Sequence, residues 1–183
     1  MRKDLRKTVG IVLLSMLMLG LNTHAIGQST VAKTPDNNVM WYTSPASHWL
    51  EALPLGNGTL GAMVYGGITR DKIQFNENSL VTGTADYVGF YQPFGNIYLD
   101  FDHKDAVDYK RSLSLDKAVH RISYAKDGVK FQREYFVSHS DKALVMMITA
   151  DRKGAVSMSV ALKDSRPSNM VYGKDEVHFA GSL

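Results

Sequence analysis

The 183-residue sequence contains no cysteine, and this absence excludes two features. No disulfide framework can form, so an exported chain of this sequence must be stabilised by its core and by strand pairing. A lipid anchor attached to cysteine is excluded as well. The six histidines are scattered along the chain and show no metal-ligand spacing. The sequence therefore predicts no metal site and no other cofactor.

Long hydrophobic runs are also scarce, and the one clear example lies at the N-terminus. Residues 1–7 carry four cations, residues 9–21 are apolar, and Ala25-Ile26-Gly27 supplies small residues at the end of the segment. A membrane-spanning helix needs about 20 apolar residues, so we expect no stable membrane insertion. We predict a cleaved signal peptide over residues 1–27 and a periplasmic or extracellular protein. Cleavage after Ala25 and an uncleaved anchor are the alternatives.

The chain has little net charge once this segment is set aside. Residues 1–27 hold four of the 21 cations and one of the 18 anions, so the remainder carries 17 of each. The pI of about 9.0 therefore belongs to the targeting segment. No basic patch with interleaved aromatic residues is present, so we predict no nucleic-acid partner.

After the signal, no long stretch has the 3.6-residue period of a helix. Residues 28–39 are predicted to be a flexible lead-in, and residues 40–183 one domain of short strands. The clearest strand alternates Val129, Phe131, Arg133, Tyr135 and Val137 with more polar neighbours, and Asp127-Gly128 predicts a hairpin turn before it. Strands recur about every 8–12 residues, which predicts an all-β, antiparallel β-sandwich.

The segment WLEALPLGNGTLGAMVYGG, residues 49–67, holds five of the chain's 15 glycines. A phosphate-binding loop would require a following Lys-Ser or Lys-Thr, and a dinucleotide-binding loop would have to open a helix. A β pattern follows Gly61 instead, so both functions are excluded. We interpret Pro54 to Gly58 as a turn that leads into a strand over Gly61 to Tyr65.

Two residues near this segment are candidates for contact with a sugar. Trp49 offers an aromatic face for stacking, and Glu51 lies close by as a hydrogen-bond acceptor. Burial of Trp49 against the sandwich is the commoner role for such a residue, and we favour it.

Glycoside hydrolysis requires two acids on opposite sides of the scissile bond. Glu77, between Asn76 and Asn78, stands out among the acids, and the other candidates are Glu51, Asp86, Asp100 and Asp102. Sequence alone pairs none of them, and turn capping or simple exposure is the more common role of such acids.

Several segments, taken in the order in which they occur along the chain, resemble segments of one known protein family. The segment over residues 49–67, DKIQFNENSL, YQPFGNIYLDF and REYFVSHSDKALV resemble the N-terminal β-supersandwich domain of glycoside hydrolase family 95, the α-L-fucosidases. The resemblance spans residues 41–150. It implies an exported enzyme that removes terminal α-L-fucose from glycans by an inverting mechanism, without a metal, with the fucosylated glycan as its partner. Some members of that family act on α-L-galactosides.

In the resembled family the catalytic groups lie in an (α/α)6 barrel, and no part of that barrel is present here. The resemblance therefore implies no catalytic residue in this chain. It leaves Asn57, Asn76 and Glu77 as residues that organise the sandwich, contact the barrel or bind carbohydrate, beside Trp49 and Glu51. The family also shows a long insertion where residues 81–91 form a short loop here, and other members share the short form.

The sequence stops part-way into what resembles a strand, at residues 177–183. This favours a fragment whose sandwich is incomplete at the C-terminus, and a naturally short protein with a frayed last strand is the alternative. We therefore interpret the chain as the N-terminal domain of a fucosidase. A self-standing carbohydrate-binding sandwich and a purely structural module remain the rival hypotheses.

Overall fold

The computed structural model describes residues 38–84, 86–87, 89–165, 169–173 and 175–180. The predicted signal over residues 1–27, positions 28–37 of the lead-in and the last three residues lie outside the described residues. Within the described ranges, all regular structure is β except for one short 3₁₀ helix at Trp49–Glu51.

Twelve strands follow one another along the chain. They are β1 (Val39–Tyr42), β2 (Leu53–Gly56), β3 (Leu60–Val64), β4 (Arg70–Glu77), β5 (Gly95–Asp100), β6 (Val107–Ser114), β7 (Val119–Lys126), β8 (Val129–Ser138), β9 (Ala143–Ala150), β10 (Ser159–Asp164), β11 (Asn169–Tyr172) and β12 (Val177–Ala180).

These strands form two five-stranded antiparallel sheets and one separate hairpin. The first sheet has the order β1-β6-β7-β8-β9, the second has the order β10-β5-β4-β3-β2, and β11 pairs with β12. Buried side chains from both sheets form one hydrophobic core between them. The predicted all-β antiparallel sandwich is confirmed.

The alternation of side chains in the sequence matches the two faces of each sheet. In β8, Val129, Phe131, Arg133 and Tyr135 are buried, while Lys130, Gln132 and Glu134 between them are more exposed. The turn before β8 also follows the sequence: Asp127 has φ 50° and Gly128 has φ 71°. Two successive residues with positive φ are what a two-residue hairpin turn requires, so the predicted hairpin is confirmed.

The glycine-rich segment differs in one respect from its interpretation. Leu53–Gly56 is a strand that pairs with β3, so the turn is confined to residues 57–59, with Gly58 at φ 88°. Pro54 is tolerated because β2 is an edge strand, where a missing N–H on the outer side costs no ladder hydrogen bond. The strand predicted over Gly61 to Tyr65 is confirmed as β3, which begins and ends one residue earlier.

Candidate functional site

Trp49 and Glu51 lie together in the 3₁₀ helix that precedes β2. The Glu51 carboxylate accepts hydrogen bonds from the Ser47 amide at 2.7 Å, the Ser47 hydroxyl at 2.9 Å and the His48 amide at 3.4 Å. These bonds, led by the one from the Ser47 backbone, lower the pKa of Glu51. The carboxylate is therefore occupied in capping a turn, one of the roles expected for it.

Trp49 is 52% exposed, so its interpretation as a buried core residue is wrong. It belongs to a group of exposed apolar side chains from β1 and the 3₁₀ helix that we call the tryptophan surface: Met40, Tyr42, Trp49 and Leu50. Trp41, the other tryptophan of the chain, lies on the opposite face of β1, where the Lys110 Nζ is 5.3 Å from its ring centre. Trp49 precedes β2, which is the edge strand of its sheet among the strands that the structure describes.

One buried arginine of β6 ties this surface together. Arg111 donates from Nε to the Ser44 carbonyl at 2.8 Å and from Nη1 to the Glu51 carbonyl at 2.7 Å. Its guanidinium lies 4.4 Å from the centre of the Tyr42 ring. Arg111 therefore links the Tyr42 ring of β1 to the backbone of the 3₁₀ helix.

Asn57 lies in the β2–β3 turn, at the other end of β2 from Trp49. Its side-chain oxygen accepts from the amides of Thr59 and Leu60 at 2.9 and 2.8 Å, and its nitrogen donates to the Ser138 carbonyl at 2.8 Å. Ser138 ends β8 in the opposite sheet. Asn57 therefore shapes its own turn and links the two sheets at this end of the sandwich.

Asn76 and Glu77 are the last two residues of β4. They lie at the same end of the sandwich as Asn57, because Leu60 pairs with Glu77 and Gly61 pairs with Asn76. The Asn76 side chain accepts from the Glu77 amide at 2.9 Å. The Glu77 carboxylate accepts from the Ser79 amide at 3.0 Å and also from the Ser79 hydroxyl. Of the five candidate residues, the structure thus brings Asn57, Asn76 and Glu77 together and leaves Trp49 and Glu51 as a separate pair.

A cluster of buried polar side chains lies elsewhere in the fold. It consists of Asp71, Tyr124, Arg133 and Tyr135, and we call it the buried clamp. Asp71 and Arg133 are both 0% exposed, and their charged groups are 3.7 Å apart. Asp71 accepts from the amides of Gly66 and Gly67 at 2.8 and 3.1 Å and from the Tyr135 hydroxyl at 2.9 Å.

Arg133 completes the clamp from the first sheet. It donates to the carbonyls of Gly67 at 2.7 Å and Ile68 at 2.8 Å, and to the Tyr124 hydroxyl at 2.6 Å. Its guanidinium also lies 3.8 Å from the centre of the Phe101 ring. Side chains of β7 and β8 thereby hold the β3–β4 loop of the other sheet.

The two glycines of that loop are needed because other groups occupy the space beside them. Gly66 has φ 77°, and a Cβ there would lie 2.6 Å from the Tyr109 hydroxyl. A Cβ on Gly67 would overlap the Arg70 carbonyl. This close approach, rather than a ligand, accounts for the Gly66-Gly67 pair of the opening motif.

Burial dominates the titration of these groups. It raises the pKa of Asp71, against which the Arg133 charge and the Tyr135 hydrogen bond act, and it raises the pKa of Tyr124 and Tyr135. Burial and then the Arg133 charge lower the pKa of His103, whose Nδ1 lies 2.7 Å from the Tyr124 hydroxyl. The clamp is closed to solvent, and all four of its side chains take part in its hydrogen bonds, with Arg133 Nε as the one buried atom without a partner among the described residues. It therefore stabilises the fold and offers no reactive group to a substrate.

Sequence reasoning missed the clamp, although a signal for it exists. Arg133 lies in phase with the buried residues of β8, and Asp71 lies in phase with Ile73 and Phe75 in β4. A charged residue at an inward position of an alternating strand requires a buried partner. The inward positions of Arg133 and Asp71 in their strands therefore predict that each of them is buried with a partner.

The described part of the chain holds neither a metal cluster nor a membrane-spanning helix. No three of its His, Asp and Glu side chains come together in a group suited to a metal ion. None of its helices is both long and apolar enough to cross a bilayer.

Two known proteins are similar to this chain in sequence. Alpha-L-fucosidase 2 of Arabidopsis thaliana is 28% identical over 160 residues, which cover 66% of this chain and 19% of the relative. Probable alpha-fucosidase A of Aspergillus niger is 25% identical over 157 residues, which cover 61% of this chain and 20% of the relative. The chain thus spans about a fifth of the length of these relatives.

Both relatives are fucosidases, which confirms the resemblance to the N-terminal domain of such an enzyme. The family model described as glycosyl hydrolase family 65, N-terminal domain, matches residues 40–88 and 81–183. These matches cover most of the chain, including the sandwich. The chain belongs to the family of glycosyl hydrolase family 65 N-terminal domains.

Proposed function

We propose that this chain is the N-terminal sandwich of an exported family 95 α-L-fucosidase, which removes terminal α-L-fucosyl groups from glycans by an inverting mechanism. The observation that carries the proposal is the 28% identity with a named α-L-fucosidase over 160 residues. The catalytic barrel belongs to the part of the enzyme outside this chain. We also propose that the mature domain carries no nucleic-acid site, in line with its balanced charge.

The geometry of the acids supports placing the chemistry outside the chain. Inverting hydrolysis requires an acid and a base that are free to act on the substrate and on water. Glu51 and Glu77 instead accept hydrogen bonds from the turns that they cap, and Asp71 is buried beneath Arg133. In this proposal, Asn57, Asn76 and Glu77 organise one end of the sandwich.

Hydrolysis of an aryl α-L-fucoside tests this proposal. We expect the 183-residue chain to give no turnover above a blank, and the longer polypeptide encoded by the open reading frame to hydrolyse the fucoside. Turnover by the short chain alone would contradict the placement of the chemistry. An inactive but folded longer polypeptide would contradict the fucosidase assignment.

We assign the tryptophan surface to contact with the remainder of the enzyme. Leu50 is 87% exposed beside Trp49, and Met40 adds a second aliphatic side chain, so the surface suits an apolar protein partner better than a sugar. Trp, Tyr and Arg also dominate the energetically important centres of protein interfaces. The relatives are about five times longer than the matched segment, which supplies such a partner within one polypeptide.

The variant Leu50→Asp tests this contact. In the 183-residue chain it should change the free energy of unfolding by less than about 0.5 kcal/mol, because the side chain is exposed. In the longer enzyme it should cost more than about 1 kcal/mol, because a charge then faces an apolar partner. Val171→Asp, at an exposed position of β11, is the matched control. Equal effects of Leu50→Asp in both polypeptides would contradict the assignment.

A further inference from the structure

A loop of unusual composition connects β4 to β5 at the Asn57 end of the sandwich. We call residues 78–93 the aromatic loop. Three of its rings are largely exposed: Tyr87 at 61%, Phe90 at 67% and Tyr91 at 70%. The sequence of the loop contains a single charged residue, Asp86, together with the hydroxyl and amide side chains of Asn78, Ser79, Thr82, Thr84 and Gln92.

The rings stand on a hydrogen-bonded frame. The Thr82 amide donates to the Phe90 carbonyl at 3.1 Å, and the Gln92 amide donates to the Leu80 carbonyl at 2.8 Å. The Gln92 side chain donates to the Thr82 hydroxyl at 3.0 Å and to the Phe90 carbonyl at 3.1 Å. These bonds join the two arms of the loop.

Two glycines let the arms approach closely. A Cβ on Gly83 would lie 2.8 Å from the Gly89 nitrogen, and a Cβ on Gly89 would overlap the Thr82 carbonyl. Tyr87 and Phe90 then lie in an edge-to-face arrangement, with their ring centres 6.4 Å apart. The rings of Tyr87 and Phe90 are therefore held near each other by the loop, and such preorganisation lowers the entropic cost of binding.

The base of the loop explains the residues singled out from the sequence. The Leu80 amide donates to the Glu77 carbonyl at 3.1 Å, and Ser79 donates to the Glu77 carboxylate. The Asn78 side chain donates to the Gly58 carbonyl at 3.1 Å, next to Asn57. Glu77 thus supports the loop directly, and Asn57 does so through the turn that it shapes with Thr59 and Leu60.

The chemistry of the exposed surface decides what it binds. A nucleic acid or another polyanion requires cations, and this loop contains no lysine or arginine. Tyrosine rings combine an apolar face with a polar edge and suit a partner that is also apolar on one face and polar at its rim. A pyranose ring has that character, with C–H groups on its faces and hydroxyls around its edge.

We propose that the aromatic loop is a binding site for a neutral oligosaccharide, which stacks on Tyr87, Phe90 and Tyr91. Thr84, whose amide donates to the Tyr87 carbonyl at 3.2 Å, and Asp86, which precedes Tyr87 in the sequence, supply hydrogen-bonding groups for sugar hydroxyls. This site is separate from the tryptophan surface. The choice of a fucosylated probe rests on the proposed function, whereas the class of neutral sugars rests on the loop itself.

Calorimetric titration of the 183-residue chain with fucosyllactose, lactose and maltotriose tests the site. We expect saturable, millimolar binding of at least one of these sugars. Tyr87→Ala, Phe90→Ala and Tyr91→Ala should each weaken that binding by about three- to tenfold, the usual value of one aromatic contact. Tyr172→Ala removes a tyrosine of similar exposure from β11 and should leave binding unchanged.

Gly89→Ala separates the arrangement of the rings from their presence. It keeps all three rings but forces the arms of the loop apart, so it should weaken sugar binding while the urea midpoint of the sandwich stays unchanged. No saturable binding of any of the three sugars would overturn the proposal. Binding that survives all three alanine variants would overturn it too, and loss of self-association in these variants without sugar binding would point to a protein contact instead.

These outcomes are distinct from those of the hydrolysis test. A longer enzyme without fucosidase activity would leave sugar binding by the loop intact. Binding of lactose or maltotriose in preference to fucosyllactose would support the loop and count against fucose as its ligand. Failure of the loop test leaves hydrolysis by the longer enzyme unaffected.

Discussion

Replacing Arg133 by methionine should cost about 3–5 kcal/mol of the free energy of unfolding, measured by urea denaturation with circular dichroism. Methionine keeps much of the side-chain volume but removes the cation 3.7 Å from Asp71 and the donors to Gly67, Ile68 and Tyr124. A carboxylate at 0% exposure then has no buried counterion. Because domains are stable by only about 5–15 kcal/mol, this variant should lose a large fraction of the stability of the chain.

Arg121→Met is the matched control for this variant. Arg121 lies on the neighbouring strand β7 and forms an ion pair with Glu134, but its side chain is half exposed. Exposed pairs contribute about 1 kcal/mol or less, so this variant should be nearly as stable as the parent chain. Arg133→Lys should fall between the two, since it restores a charge without the planar fork. Equal costs for Arg133→Met and Arg121→Met would contradict the role given to the clamp.

The sheets of this fold follow from local patterns in the sequence. The alternation around Phe131 and Tyr135 and the Asp127-Gly128 turn depend on neighbouring residues alone, and both were predicted. Strand β2 was not, because Pro54 and Gly56 are typical of turns. An edge position in the sheet makes them acceptable in a strand, and that position is set by the other strands.

The candidate site follows from the sequence only in part, because its contacts join distant segments. The capping roles of Glu51 and Glu77 involve residues within four positions and agree with the prediction. The clamp joins Asp71 to Arg133, and the link from Asn57 reaches Ser138, so both depend on how the two sheets face each other. Exposure of Trp49 likewise depends on what covers it and cannot be deduced from its neighbours in sequence.

His120 has an environment that makes the fold sensitive to acid. It lies in β7 between Leu113 of β6 and Tyr135 of β8, and it is 0% exposed. Its ring centre is 5.6 Å from that of Tyr135, and neither ring nitrogen has a hydrogen-bond partner among the residues that the structure describes. Burial, and then the nearby Arg111 charge, lower the pKa of His120 from 6.5 to about 3.

The sign of the resulting pH dependence follows from which state binds the proton. Between pH 6.5 and about 3 the unfolded chain carries a proton on His120 and the folded chain does not. The free energy of unfolding is therefore highest above pH 6.5 and falls as the pH is lowered through this window. At about 1.4 kcal/mol per pH unit, this histidine should remove about 3 kcal/mol between pH 7 and pH 4.

His120→Phe should abolish most of that acid-dependent loss, because phenylalanine fills the same space and binds no proton. The measurement is a series of urea denaturations of the parent chain and the variant from pH 7 to pH 4, with the difference between the two curves isolating this one group from the carboxylates. His139→Phe, at an exposed position after β8, retains His120 and should keep the loss. Parallel curves for the parent chain and His120→Phe across this range would show that His120 takes up a proton within the fold, contrary to the sealed position assigned to it.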